Sequence, residues 1–284
     1  ARVYANLKRV FGLEFSPREL TVLTKSFYQA FGQSVIEIFL IPLIDSKYIS
    51  RYIQTQGEVN IQKALNKGRG VILVAVHAGS WELSNVISAN LGFPYSFLVR
   101  GQSLPRLNKL LNTYRTDRGC KIITREQGLK GLITALKNNQ AIGITIDQGG
   151  RSGMLVNFFG RSASMSTGAV KLALKYEVPL IPVFFTRIKG PRIKVWAGEE
   201  ILLLRSNKEL NDLRDNLCRI IAIFEKFIKE YPKDYLWTYK IWKHSVHREV
   251  VLLSDGRAGH LRQSEALLNI IQAVSIEKGI ELKV

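Results

Sequence analysis

The sequence predicts an α/β protein with a mainly parallel sheet flanked by helices and a helical segment ahead of it. Three observations lead there. Residues 1–66 carry helix-like apolar patterning with no strand signal between the runs. From Gly70 onward, short apolar runs alternate with amphipathic segments, the signature of β-α units. These runs are continuous rather than alternating, as in VILVAV at 71–76, which implies burial on both faces of the sheet.

Taken in order, residues 1–11 form a first helix, 17–44 a longer apolar-rich one, and 59–66 a third closed by Gly68. Strands are expected at 71–76, 95–99, 121–123, 141–146 and 179–185, with helices at 104–114, 129–137 and 169–176 between them. A helix at 210–229 follows, then an aromatic segment over 231–242. After His247 a fresh strand at 250–253 leads through Ser254-Asp255-Gly256 into a helix at 263–274, which is how a new α/β domain begins. The expected organisation is one domain over 1–245 and the truncated start of a second α/β domain over 246–284. No internal repeat or low-complexity tract interrupts it.

A chain of 284 residues with 46% hydrophobic, 10% aromatic and 23% charged residues belongs with folded globular proteins, not disordered or collagen-like ones. The formal charge of +18 attracts anionic lipid, nucleic acid or an acidic carrier protein, or it forms a solvated face that maintains solubility. Residues 246–284 hold five basic and five acidic residues, so the excess resides in 1–245. Cys120 and Cys218 lie far apart without Cys-x-x-Cys spacing, giving no disulfide framework or zinc site and fitting a reducing, cytoplasmic setting.

No stretch approaches the ~18 apolar residues of a membrane span. The run at 34–44 (SVIEIFLIPLI) contains Glu37 and Pro42, and reads as a core helix or a partly membrane-dipping segment. The sequence starts without methionine and stops soon after a strand-like run, so it reads as a fragment whose membrane anchor can lie elsewhere.

His77 follows the buried strand at 71–76, and Ala78-Gly79 allows a tight turn before Ser80, an N-cap for a helix beginning at Trp81. It therefore sits at the carboxyl end of a strand, the edge where open α/β sheets bind ligands. Glu82 lies in the expected helix's first turn, within reach of the imidazole. An alcohol attacking a thioester must lose a weakly acidic proton, and imidazole is matched to take it near neutral pH. A carboxylate on its far nitrogen would fix the tautomer and stabilise the imidazolium. On spacing alone, the pair reads as a strand-end histidine with a local hydrogen bond beside an ordinary first-turn carboxylate, ahead of the catalytic reading. No Gly-x-Ser-x-Gly elbow, phosphate-binding loop or His-Glu-x-x-His helix occurs, and His244, His247 and His260 have no ligand-like spacing. No metal and no cofactor is expected.

The run His77-Ala78-Gly79-Ser80-Trp81-Glu82, preceded by Gly57-Glu58 and Gly68-Arg69-Gly70-Val71, resembles the bacterial lipid A biosynthesis acyltransferases, the lauroyl and myristoyl transferases. Their core motif is His-Phe-Gly-Asn-Trp-Glu. The resemblance continues through Val99-Arg100, Arg115, Leu129-Lys130-Gly131-Leu132, Asp147-Gln148, Phe158-Phe159-Gly160 and Thr167-Gly168 to Tyr231-Pro232-Lys233-Asp234-Tyr235-Leu236-Trp237. It covers roughly 1–245, and several ordered motifs are far more specific than one spacing.

The resemblance implies a glycerolipid-acyltransferase-like fold that moves a fatty acyl chain from acyl carrier protein or coenzyme A to a hydroxyl of a lipid A precursor or related glycolipid. It makes His77 the general base and Glu82 its orienter. Arg100 and Arg115 match family arginines, and a guanidinium there suits an acceptor phosphate or the developing oxyanion, while both also read as surface arginines, Arg115 above all on its helix. Asp147 and Gln148 belong to the substrate site, Asp147 at the end of a buried strand on the sheet edge of His77. Phe158 and Phe159 line the acyl channel or are plain core, and Trp237 and Trp242 are core or interfacial anchors. The implied location is the cytoplasmic face of the inner membrane, on an anionic surface, with no nucleic-acid partner.

Ala78, Ser80 and Tyr239-Lys240-Ile241-Trp242 depart from the family pattern and bear on the acceptor more than the reaction. The stretch Ser254-Asp255-Gly256-Arg257-Ala258-Gly259-His260 with Gln263-Ser264 resembles the start of the elongated-mitochondria-type, glycosyltransferase-like family. A lysophospholipid, mannolipid or ornithine lipid is the alternative acceptor. Outside the enzyme class stand a non-catalytic module for anionic surfaces and a degenerate acyltransferase that scaffolds the following domain.

Overall fold

The computed structural model describes residues 1–99, 101, 104–117, 121–124, 127–206 and 208–284. In α1 (Arg2–Phe11), Val3, Leu7 and Phe11 recur at helical spacing and are buried together with Asn6. The Asn6 amide donates to the carbonyls of Trp237 at 2.8 Å and Tyr239 at 3.0 Å, so the first helix clasps a segment more than two hundred residues later. α2 (Pro17–Leu40) starts at a capping box. The Ser16 hydroxyl accepts from the Glu19 N–H, the Glu19 carboxylate accepts from the Ser16 N–H, and Pro17 opens the helix. Its inner face buries Leu20, Phe27, Ala30, Ser34 and Glu37.

α3 (Ser46–Tyr52) leads into β1 (Ile53–Gln56), a strand in the region expected to be all helical. Four residues with one buried apolar side chain give too short a pattern to read, and pairing with a distant strand creates the element. α4 (Glu58–Leu65) and β2 (Val71–Ala75) follow. Beyond β2 the chain makes a 3-10 turn over Trp81–Leu83 before α5 (Ser84–Asn90), so the expected helix starts three residues late. Ser80 does not cap it, because its hydroxyl is engaged by buried charged groups described below.

β3 (Tyr95–Val99), α6 (Pro105–Thr116), β4 (Lys121–Thr124), α7 (Gly128–Lys137) and β5 (Ala141–Thr145) complete the expected alternation through this region. An antiparallel hairpin then adds β6 (Met154–Phe158) and β7 (Arg161–Met165), which the sequence reading did not resolve. After α8 (Gly168–Tyr176), β8 (Leu180–Lys189) turns directly into β9 (Arg192–Ala197), and α9 (Glu209–Glu230) packs behind.

The main sheet has the order β1-β9-β8-β2-β5-β3-β4, and of these pairings β8 with β9 is the antiparallel one. Alternation along β2 sends Ile72, Val74 and Val76 into one core and Val71 and Leu73 into the other, so the strand is sandwiched as its continuous apolar run predicts. α1, α8 and α9 supply the first core, and α3, α4 and α5 the second.

Near the end, β10 (His247–Glu249) pairs in parallel with β11 (Glu281–Lys283), and α10 (Ala258–Glu277) links them. The strand expected at 250–253 is irregular instead. Register with β11 places the pairing at 247–249 and leaves Val251 and Leu253 exposed.

Candidate active site

Strand register assembles the centre. β2 and β5 run in parallel from Val71 opposite Ala141 to Ala75 opposite Thr145, so positions 71, 73, 75 and 77 share a face with 141, 143, 145 and 147. Just beyond the ladder, the His77 N–H donates to Asp147 Oδ2 at 3.1 Å, and His77 Nδ1 lies 2.7 Å from Asp147 Oδ1. A carboxylate accepts, so Nδ1 carries the proton and Nε2 presents its lone pair. The Asp147 side chain is 2% exposed and that of His77 is 20% exposed. Burial pulls the imidazole pKa down, but the charge and hydrogen bond of Asp147, with the charge of Glu82, outweigh it and leave His77 above its ordinary value. Burial, followed by the Asp147 carboxylate, pushes the Tyr235 phenol well above its usual range, which keeps it protonated.

Residues 77–79 are held by a late segment of the chain. The Leu236 N–H donates to the His77 carbonyl at 2.9 Å, the Gly79 N–H to the Asp234 carbonyl at 2.8 Å, and Ala78 forms an antiparallel bridge with Tyr235. Gly79 has φ +55°, and a Cβ there would sit 2.6 Å from the Phe185 carbonyl oxygen, so the turn needs glycine for both reasons. The Trp81 ring stands edge-on to His77, with centroids 5.4 Å apart.

Glu82 does not occupy the position expected of it. Its carboxylate accepts from Arg115 Nε at 3.2 Å and from Nη2 at 2.9 and 3.0 Å, and Asp147 takes the imidazole nitrogen instead. Glu82 sits on the 3-10 turn over Trp81–Leu83, and Arg115 of α6 takes its carboxylate. Arg115 is correspondingly buried rather than a surface arginine.

A cavity of about 500 Å³ opens between this sheet face and α5. His77, Glu82, Arg115 and Gln148 line it near the strand ends, while Leu73, Gly143, Val183, Ile87 and Leu91 give it apolar walls. Gly143 leaves room for the Tyr95 side chain, whose hydroxyl would lie 2.0 Å from an added Cβ.

Phe158 and Phe159 lie outside this cavity, a correction to their expected place in an acyl channel. The β6–β7 hairpin carries them to the opposite core, where Phe158 packs on Tyr235 and Trp242 and the Phe159 N–H donates to Glu225. Trp237 and Trp242 are core residues, with indole N–H groups donating to the carbonyls of Pro232 and Phe158. Arg100 lies outside the described residues. Glu37 and Arg187, to which the sequence assigns no role in the site, form a buried ion pair at 2.6 Å behind the turn. Their signal was faint: a lone carboxylate in the apolar run 34–44 and a lone arginine after 180–185.

The profile of the bacterial lipid A biosynthesis acyltransferases matches residues 1–244. The chain is 22% identical to a lipid A biosynthesis acyltransferase of Haemophilus influenzae over 244 residues, covering 84% of this chain and 74% of that protein. It is 26% identical to a phosphatidylinositol mannoside acyltransferase of Mycolicibacterium smegmatis over 268 residues, covering 90% and 81%. It is 25% identical to a lipid A biosynthesis lauroyltransferase of Escherichia coli over 246 residues, covering 85% and 78%. With the profile spanning most of its length, the chain belongs to the bacterial lipid A biosynthesis acyltransferase family.

Proposed function

We propose that this acyltransferase moves a fatty acyl group from an acyl carrier protein or coenzyme A thioester to a hydroxyl of a lipid A precursor or related glycolipid, with His77 as general base. The observation that carries the reading is the 2.7 Å contact between His77 Nδ1 and Asp147, at a cavity with apolar walls. Nε2 takes the acceptor hydroxyl's proton as its oxygen bonds to the thioester carbonyl carbon. Collapse of the tetrahedral intermediate breaks the C–S bond, and the imidazolium returns the proton to the leaving thiolate. No covalent enzyme intermediate is required.

In this reading Asp147, rather than Glu82, orients the base and stabilises its cationic form. Glu82 holds Arg115, which with Gln148 lines the cavity where an oxyanion or acceptor phosphate would lie. The apolar walls take the acyl chain.

A lipid substrate calls for a lipid surface. Among the described residues no helix is long and apolar enough to cross a membrane. Val35, Ile36, Phe39 and Leu40 near the end of α2, with Leu43, are nevertheless exposed on a strongly cationic chain. We propose that this face meets the anionic cytoplasmic side of the inner membrane. We also propose that a second α/β domain begins near residue 246.

The test is incubation of purified protein with acyl carrier protein and coenzyme A thioesters against a panel of lipid A precursor, phosphatidylinositol mannoside and lysophospholipid, read by mass spectrometry. Transfer to the lipid A precursor that disappears in His77→Ala supports the reading, and transfer unaffected by that change refutes the role of His77. The match to a phosphatidylinositol mannoside acyltransferase over 90% of the chain favours a second reading, with a mannolipid acceptor. The same panel decides between them.

A further inference from the structure

Behind the turn that carries His77 lies a polar cluster that touches neither the cavity nor the His77 ring. Arg187 on β8 donates from Nη1 to Glu37 Oε1 at 2.7 Å and from Nη2 to Glu37 Oε2 at 2.6 Å, a fork on a carboxylate of α2. The same Nη2 donates to the Ser80 hydroxyl at 2.6 Å, and Nη1 to the Gly190 carbonyl at 2.6 Å. Ser80 donates to Glu37 and lies 3.0 Å from the Ser34 hydroxyl. All four side chains are buried.

The geometry points to the Glu37–Arg187 pair as the positioning element of the reactive turn, acting through the Ser80 hydroxyl. Ser80 lies between His77 and Glu82, and it is the residue of the turn whose side chain reaches the pair. The neighbouring residue of β8 grips the other side. The Thr186 hydroxyl and the Arg187 N–H both donate to the Asp234 carboxylate, and the Asp234 carbonyl accepts from the Gly79 N–H. Consecutive residues of one strand thus hold the turn at Gly79 and at Ser80.

A buried ion pair gains little over well-packed apolar side chains, so stability alone is a weak reason for the pair, whereas fixing one arrangement is an attested use. Chemistry is sensitive to such fixing, since a misplacement of about 1 Å costs on the order of a hundredfold in rate. Through Ser80 the pair sets where Trp81 stands against the His77 ring and where Glu82 meets Arg115.

This inference rests on His77 being the base, and the experiment separates the two. Ser80→Ala, Ser80→Thr, the double change Glu37→Leu with Arg187→Met, and His77→Ala are compared in the full chain. Each is assayed for kcat and donor KM on the donor and acceptor that the unmodified protein turns over, for thermal unfolding, and for the NMR cross-relaxation between the Trp81 indole and the His77 ring. Ser80→Ala is expected to keep its fold, lose about tenfold or more in kcat at unchanged donor KM, and weaken the Trp81–His77 signal, while Ser80→Thr restores both. The double variant should fold and show the same loss. A folded Ser80→Ala with full kcat and an intact signal overturns the inference, and if that variant does not fold, a fully active double variant does so. Transfer that survives His77→Ala overturns the functional reading instead. The ring-to-ring signal tests the positioning without turnover.

Discussion

His77 and Asp147 stand at matching places just beyond the ends of neighbouring parallel strands and meet through two hydrogen bonds, one from the His77 backbone N–H and one at its Nδ1. The backbone contact sets the carboxylate in place before the imidazole is considered. With His77 as the proposed base, Asp147→Asn is therefore expected to preserve the fold while removing the charge that holds the imidazole in the Nδ1–H tautomer. The rate of acyl transfer should fall by about a hundredfold or more, with donor KM little changed, as measured by steady-state kinetics.

The pH dependence has a definite sign. Burial opposes the imidazolium, and the Asp147 charge and hydrogen bond, together with Glu82, overcome it, so the folded-state value lies above 6.5. Transfer should rise with pH as His77 loses its proton, with a midpoint above that of an unperturbed histidine. In Asp147→Asn the residual activity should have its midpoint shifted to lower pH. The stability contributed by protonated His77 is complete below its unfolded-state value and is lost as pH rises through the folded-state value. Denaturant titrations across that window should show the Asp147→Asn penalty shrinking towards alkaline pH.

Glu82 and Arg115 form a fork on the cavity wall, and lysine in place of Arg115 cannot reproduce its planar geometry. Glu82→Ala leaves a largely buried guanidinium without this carboxylate and should cost roughly 1.5–3 kcal/mol in chemical denaturation. The Asp147 hydrogen bond should persist, so the His77 imidazole signals should still report a hydrogen-bonded Nδ1–H. Loss of that signal in Glu82→Ala would return Glu82 to the orienting role.

Gly79→Ala places a methyl group against the Phe185 carbonyl at a left-handed backbone position. The strain should destabilise the protein by more than about 1 kcal/mol, measured by denaturant titration.

Gly143→Val adds bulk to the cavity wall where an added Cβ would already meet the Tyr95 hydroxyl. If the cavity holds the acyl chain, the variant should favour shorter-chain thioesters over longer ones, in competition assays with mixed donors. An unchanged chain-length preference would place the acyl chain elsewhere.

The central strands were legible because burial on both faces writes continuous apolar runs into 71–76, 141–146 and 179–185. β1 was not, since it is short and pairs with β9 far along the chain, and β9 and the β6–β7 hairpin were not, since their sequences mix polar and apolar residues even though β9 pairs β8 and β6 pairs β7 across tight turns. The two ends of the His77–Asp147 contact could each be read as polar residues finishing a buried strand. Their meeting could not, because β3 and β4 intervene in the chain but not between the strands in the sheet. Glu82 looked like the partner because it is near in sequence. Its carboxylate, on a 3-10 turn, is taken by Arg115, a residue 33 positions later. The Glu37–Arg187 pair spans 150 residues, beyond any local pattern.

The clasp between Asn6 and the carbonyls of Trp237 and Tyr239, with the pairing of residues 77–79 to 234–236, has a consequence for the order in which the protein is made. At a synthesis rate of roughly 5–20 residues per second, His77 waits on the order of ten seconds before Leu236 exists to bond its carbonyl. β2 and β5 can pair in the nascent chain well before then. The turn at the end of β2 gains its outer edge, and α1 its carbonyl partners, only when the closing segment has been translated, so the surroundings of His77 are among the last parts of the protein to gain their full set of hydrogen bonds.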